Sequence, residues 1–184
     1  MTGIKKWVVL EERNASPSKW FPLFAHKVQL PNGKIVEDYY VSKLGDVAMI
    51  VAITPNKEII FTKQYKHGVQ EIILELPAGR IGNRTPENAA KEELREETGI
   101  TADELVTLGN LYIAPSKDST INHGFLLKNA EVAGGQHLDE TENIELVFVP
   151  LKDLDQMIKS GEVCTADTIA LITLAKLHFP ELFR

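Results

Sequence analysis

Residues 85–99 carry the strongest local constraint in the chain, because they specify one helix from its first cap to its stop. Thr85 can accept a backbone N–H at the N-terminus, Pro86 suits the first helical position, and Gly99 suits the left-handed C-terminal stop. The flanking sequence reads mostly as strands. Trp7–Glu12 is a short strand candidate, and Asn14–Pro22 is a loop. Ala25–Leu30 and Lys34–Val41 flank Pro31-Asn32-Gly33, a hairpin signal. Val47–Ile53 and Glu58–Gln64 flank the turn Thr54-Pro55-Asn56-Lys57, and Ile72–Leu76 is an apolar run that ends in a turn at Pro77 and Gly79. After the helix, Leu105–Ile113, Asn122–Lys128 and Ile144–Val149 read as strands, Leu151–Ser160 as a short helix, and Asp167–His178 as a C-terminal helix. Helices interrupt the strands at irregular places, which excludes a doubly wound sheet. The expected class is α+β, with a mixed sheet between helices and an N-terminal β subdomain. Residues 1–45 would form that N-terminal segment and residues 46–184 the main domain.

The net charge is -6, from 20 basic and 26 acidic residues. That balance argues against a nucleic-acid surface, where a basic excess is expected. It leaves anionic substrates open, because a metal ion supplies local positive charge. Cys164 is the only cysteine, so it has no intrachain disulfide partner, and it reads as a small buried apolar residue. The apolar run near Met1–Leu10 is too short for a signal peptide, and no stretch approaches a membrane span of about 18 apolar residues. A cytoplasmic protein is expected. His26, His123, His137 and His178 show no zinc-site spacing.

The helix is also unusually acidic. Glu93 and Glu97 are four residues apart and share one face, with Cβ atoms about 5–6 Å from each other. Glu96 borders that face, and Ala90 and Leu94 form an adjoining apolar stripe. Like charges at this spacing cost a bare helix a few tenths of a kcal/mol. A cation between them removes the cost, and carboxylate oxygen is the donor that Mg²⁺ and Mn²⁺ prefer. The alternative is a solvated helix face with Lys91 and Arg95 interspersed. The Pro-Ala-Gly bend before the helix favours the metal reading, since Ala78 there can offer a backbone carbonyl.

Glu93-Leu-Arg-Glu-Glu-Thr-Gly-Ile100, with Gly79 upstream, resembles the Nudix box. Glu75-Leu-Pro-Ala-Gly79, Lys63-Gln-Tyr-Lys66, the acidic stretch Asp139–Ile144, and Ser160–Val163 followed by Asp167–Ala170 are similar to the ADP-ribose pyrophosphatase branch of that family. The resemblance implies hydrolysis of a nucleoside diphosphate sugar with Mg²⁺, Mn²⁺ being an alternative ion. ADP-ribose is the first substrate it suggests. Hydrolysis of another such sugar (GDP-mannose, for example) and nucleotide sensing without catalysis are the alternatives. It implies that Glu93, Glu96, Glu97, Glu142 and the Ala78 carbonyl bind metal, that Glu140 acts as base with Glu97 and Glu96 in catalytic roles, and that Tyr65, Lys66, Glu75 and Arg80 meet substrate. It also implies a homodimer built on the N-terminal strands.

Three departures from the pattern stand out. The arginine that precedes the pattern's first helix glutamate is Glu92 here, which is expected to repel Glu96. The loop from Gly79 to Glu93 is one residue short, so the pattern's early glutamate falls at Asn83 or Arg84. Pro115-Ser116 reverses the order of the branch's Ser-Pro.

Overall fold

The computed structural model describes residues 3–184, so Met1 and Thr2 of the N-terminal segment lie outside the described residues. The chain divides into two compact units. One comprises the described residues up to Gly45 together with Tyr112–Thr120, and the other comprises Asp46–Leu111 and Ile121–Arg184. Among the described residues, no helix is long and apolar enough to cross a membrane.

The first unit is built on a three-stranded antiparallel sheet in the order β1-β2-β3: Val8–Asn14, Leu23–Gln29 and Ile35–Ser42. The Pro31-Asn32-Gly33 turn joins β2 to β3, with Gly33 at φ 85° as a turn position requires. Asp118 accepts a hydrogen bond from the Ser42 hydroxyl, and Ser116 accepts one from the Tyr39 hydroxyl, so the 112–120 segment is tied to β3. Every residue of β1 is exposed.

The second unit holds a seven-stranded mixed sheet. Its strands are β4 (Val47–Ile53), β5 (Glu58–Lys66), β6 (Glu71–Glu75), β7 (Ala78–Arg80), β8 (Val106–Tyr112), β9 (Ile121–Lys128) and β10 (Glu145–Pro150), with a main path β10-β5-β4-β9-β8. β4 runs parallel to β9 along its whole length. It is a nearly continuous apolar run because both of its faces are buried. Met49, Val51 and Ile53 pack on one face, in a core with Phe61, Leu76, Leu126, Leu171 and Ile172. Ala48, Ile50 and Ala52 pack on the other, against Ala89, Ala90 and Leu94 of α1 (Pro86–Thr98). Leu154 of α2 (Leu154–Ser160) and Leu171, Ile172 and Ala175 of α3 (Ala166–His178) belong to the first of these cores. Helices therefore cover both faces of one mixed sheet, which is the α/β/α sandwich expected from the sequence.

Strands β4 and β5 meet only at their hairpin end, through Ile53 and Ile59, and then diverge. β6 pairs with the far half of β5 and β7 with the near half of β4, so both occupy the fork between them. Ala78-Gly79-Arg80, which reads as a turn in the sequence, is thus a short strand; its pairing with Val47–Met49 is non-local and leaves no local sequence signal. Cys164 corrects a second expectation: it is exposed, and its neighbour Val163 takes the buried position.

Candidate active site

The site grows from the fork and the helix that follows it. The Ile50 N–H donates to the Pro77 carbonyl and the Ile81 N–H to the Asp46 carbonyl, each at 2.9 Å. Antiparallel partners alternate between bonded and unbonded pairs, and Ala78 stands between these two bonds, opposite Met49. Its own N–H and C=O therefore point away from β4. The N–H donates to Glu97 Oε2 at 3.0 Å, which ties the strand to α1.

Helix α1 begins and ends as its sequence dictates. The Thr85 side chain accepts the Asn88 N–H at 3.3 Å, and Gly99, at φ 72°, returns its N–H to the Arg95 carbonyl at 2.9 Å. Ala89, Ala90 and Leu94 are fully buried against the sheet. That anchoring turns Glu97 inward, where it is only 4% exposed. Burial pushes its pKa up to about 8; the Ala78 N–H and Lys66 pull it down, and Glu93 and Glu142 push it further up. One turn earlier, burial likewise raises Glu93, against the pull of Arg84 and with a push from Glu96 and Glu142. The Glu93 carboxylate lies directly against the backbone of Gly79, where a Cβ would fall far inside van der Waals contact with it. Glycine is the residue that leaves space for this carboxylate.

The chain after β9 brings in the acidic loop. Gly134 donates its N–H to the Gly99 carbonyl at 3.0 Å, His137 to the Glu96 carbonyl at 2.8 Å, and Gln136 Nε2 to the Glu97 carbonyl at 2.7 Å. These bonds satisfy carbonyls left over at the helix C-terminus. They also lead the chain into Asp139–Glu142, whose turn closes through the Glu142 N–H on the Asp139 carbonyl. Glu142 is half-buried and faces Glu93 and Glu97 electrostatically. Glu140, on the same turn, is exposed and enters no such contact with them. Gln136 gave no sign of its anchoring role in the sequence.

The remaining residues expected to meet substrate lie around the fork. Lys66 Nζ pairs with Glu75 Oε2 at 2.6 Å, and Lys66 is felt by Glu97. Tyr65 is exposed, and its hydroxyl is 3.1 Å from His67 Nδ1. Arg80 is exposed, and among the described residues its side chain takes part in no ion pair.

A family model described as the NUDIX domain matches residues 43–170, and one described as the nucleoside diphosphate sugar hydrolase N-terminal domain matches residues 7–42. The chain belongs to the Nudix family. It is 34% identical over 179 residues to an ADP-ribose pyrophosphatase of Bacillus subtilis (strain 168), covering 96% of each protein. It is 29% identical over 174 residues to a GDP-mannose pyrophosphatase of Yersinia enterocolitica serotype O:8 / biotype 1B (strain NCTC 13174 / 8081), covering 86% of this chain and 90% of the relative. A crystal structure of an ADP compounds hydrolase superposes with a TM-score of 0.85 at 21% identity, over 98% of each chain, which establishes the fold.

Within this Nudix helix, Glu92 and Glu96, expected to repel each other, each pair with a cation. Glu92 Oε2 pairs with Arg84 Nη1 at 2.5 Å, and Glu96 Oε1 pairs with Arg95 Nη2 at 3.0 Å. Arg84 holds Glu92 below the usual carboxylate range. Glu87, at the helix start, pairs with Lys91 at 2.8 Å.

The donor chemistry fits a hard divalent ion. Glu93, Glu97 and Glu142 offer only oxygen, they repel one another, and two of them are held where burial disfavours their charge. The Ala78 carbonyl points to the same edge. Among the described residues, no three His, Cys, Asp or Glu side chains already stand close enough to hold an ion together. A solvated helix face, the competing reading of this helix, does not describe a glutamate that is 4% exposed.

Proposed function

We propose that this chain is a metal-dependent pyrophosphohydrolase of nucleoside diphosphate sugars, with ADP-ribose as its preferred substrate. The observation that carries the reading is the buried Glu97 carboxylate, held by the Ala78 N–H and set among Glu93 and Glu142 at the end of a strand fork. The full-length similarity to an ADP-ribose pyrophosphatase supports the substrate. Similarity to a GDP-mannose pyrophosphatase supports the broader class of nucleoside diphosphate sugars.

In this reading Glu93, Glu97, Glu142 and the Ala78 carbonyl hold Mg²⁺, with Mn²⁺ as a substitute and Glu96 as a further ligand. When bound, two or three such ions would neutralise the diphosphate and lower the pKa of an attacking water. The water oxygen forms a bond to one phosphorus, and the bridging oxygen leaves with the other phosphate. ADP-ribose and water thus give AMP and ribose 5-phosphate. Glu140 is the base assigned to that water. It is exposed on the acidic turn, so it acts once the turn folds over substrate. Arg80, exposed beside the bend and without an ion-pair partner among the described residues, is assigned to a substrate phosphate. Tyr65, Lys66 and Glu75 are assigned to the nucleotide.

Residues 46–184 carry this chemistry, and residues 1–45 are assigned to a homodimer contact. β1 supports that contact, because it is an edge strand whose Val8, Val9 and Leu10 are all about half exposed. The setting is cytoplasmic, in keeping with a lone, exposed cysteine. The test is product analysis on ADP-ribose, GDP-mannose and other nucleoside diphosphate sugars, with Mg²⁺, with Mn²⁺ and with chelator. Metal-dependent release of AMP from ADP-ribose, lost in Glu97→Gln, is expected. No turnover of any member with either ion would refute the reading.

A further inference from the structure

The two residues by which the helix region departs from the Nudix pattern touch each other. Arg84, one of the two positions at which the pattern's early glutamate falls, ends the short turn after β7, and Glu92 stands where the pattern places an arginine. Their charges are exchanged, yet a cation still faces an anion: Arg84 Nη1 lies 2.5 Å from Glu92 Oε2. The same guanidinium does more. Its Nη2 donates to Glu93 Oε1 at 3.1 Å and also to the Arg80 carbonyl, and its Nε donates to the Ile81 carbonyl at 3.1 Å. All three nitrogens are engaged in a planar fork that a lysine cannot reproduce.

This geometry has a direct consequence for Glu93. Its carboxylate sits in the space left by Gly79, half-buried, with Glu96 and Glu142 repelling it. Arg84 is the cation that pairs with it, and Glu92 pairs with the same guanidinium through its other terminal nitrogen. The two backbone carbonyls bind Arg84 to the turn that begins at the bend. The fork therefore joins the bend, the turn and the helix through one side chain.

We infer that Arg84 and Glu92 form a charge-exchanged positioning pair that holds the Glu93 carboxylate at Gly79 for metal binding. The inference rests on the hydrolase reading above. Loss of a partner that orients a ligand costs about 10- to 100-fold in metal affinity. A mere surface ion pair would instead leave affinity alone and change stability slightly.

The experiment is a double-mutant cycle, Arg84→Glu, Glu92→Arg and the two together, read by the free-Mn²⁺ signal in electron paramagnetic resonance, with kcat and KM for ADP-ribose alongside. Each single variant is expected to weaken Mn²⁺ binding by about 10- to 100-fold. The double variant is expected to lose no more than Arg84→Glu alone, because Glu92 acts on Glu93 only through Arg84. Arg84→Lys keeps the charge without the fork, so it folds under the mildest change and still loses affinity. Unchanged Mn²⁺ affinity in Glu92→Arg or Arg84→Lys, or losses that simply multiply in the double variant, would overturn the pair. A wild-type protein that binds no Mn²⁺ would overturn the hydrolase reading and the pair with it, and is told apart from the other failures by the wild-type titration alone.

Discussion

Glu97 makes a prediction in which stability and activity move in opposite directions. Its folded-state pKa stands at about 8 against an ordinary value of 4.5, mainly because of burial. Between those two values the folded chain binds a proton that the unfolded chain has released. Stability from this group is therefore fully present below 4.5 and is lost as the pH rises towards 8. The difference from 4.5 to about 8 corresponds to roughly 5 kcal/mol, an upper limit because water entering the site relaxes the desolvation. Between about pH 5.5 and about pH 8.5 the loss is roughly 3 kcal/mol, or about 6–12 °C in Tm for a chain of this size. In Glu97→Gln the amide oxygen still accepts the Ala78 N–H, but nothing titrates. The assay is thermal or urea unfolding in chelator over that pH range, comparing the variant with the parent. Glu97→Gln is expected to gain on the parent steadily as the pH rises, to exceed it near pH 8.5, and yet to be inactive. Added Mg²⁺ is expected to narrow the gap, since a ligating carboxylate must release its proton. Parallel pH profiles for the two proteins in chelator would refute the reasoning, because the burial of Glu97 would then carry no charge penalty.

Two further changes probe the rest of the molecule. Gly79→Ala drives a methyl group into the Glu93 carboxylate; it is expected to cost about 1–3 kcal/mol in unfolding free energy and to lower activity by about 10- to 100-fold, and near-normal kinetics would show that Glu93 need not sit there. Val9→Lys places a charge on the exposed edge strand β1, so light scattering is expected to report a dimer for the parent and a monomer for the variant, whereas equal masses would remove β1 from the contact.

The parts of the fold legible in the sequence are those fixed by neighbouring residues. Thr85, Pro86 and Gly99 set the bounds of α1 because caps and stops act within a few positions. Val47–Ile53 coincides with β4 because a strand buried on both faces needs an unbroken apolar run. Features set by distant residues left no such trace. β7 is three residues long, and its partner β4 lies about thirty positions earlier, so only a turn was visible there. The fork that brings β6 and β7 between β4 and β5 depends on register, which no single segment encodes. The same holds at the site. Spacing put Glu93 and Glu97 on one face, but it gave no depth, and depth is what raises the Glu97 pKa. Glu92 read as a source of repulsion because its partner is eight residues away, beyond the turns over which helix neighbours interact.

Depth also separates the two readings of the acidic helix. A solvated face costs little and needs no partner, because water screens like charges. Here the sheet buries Ala89, Ala90 and Leu94, and that packing carries Glu97 inward with it, against Glu93 and Glu142. An apolar residue at 97 would satisfy the packing without the charge penalty. The Ala78 N–H offsets part of that penalty, and Lys66, already paired with Glu75, offsets a little more. Arg84 offsets part of the cost at Glu93, and the rest of the penalty at Glu97 shows as its raised pKa. In the proposed function a divalent cation would meet the cost that remains, displacing the Glu97 proton as it binds.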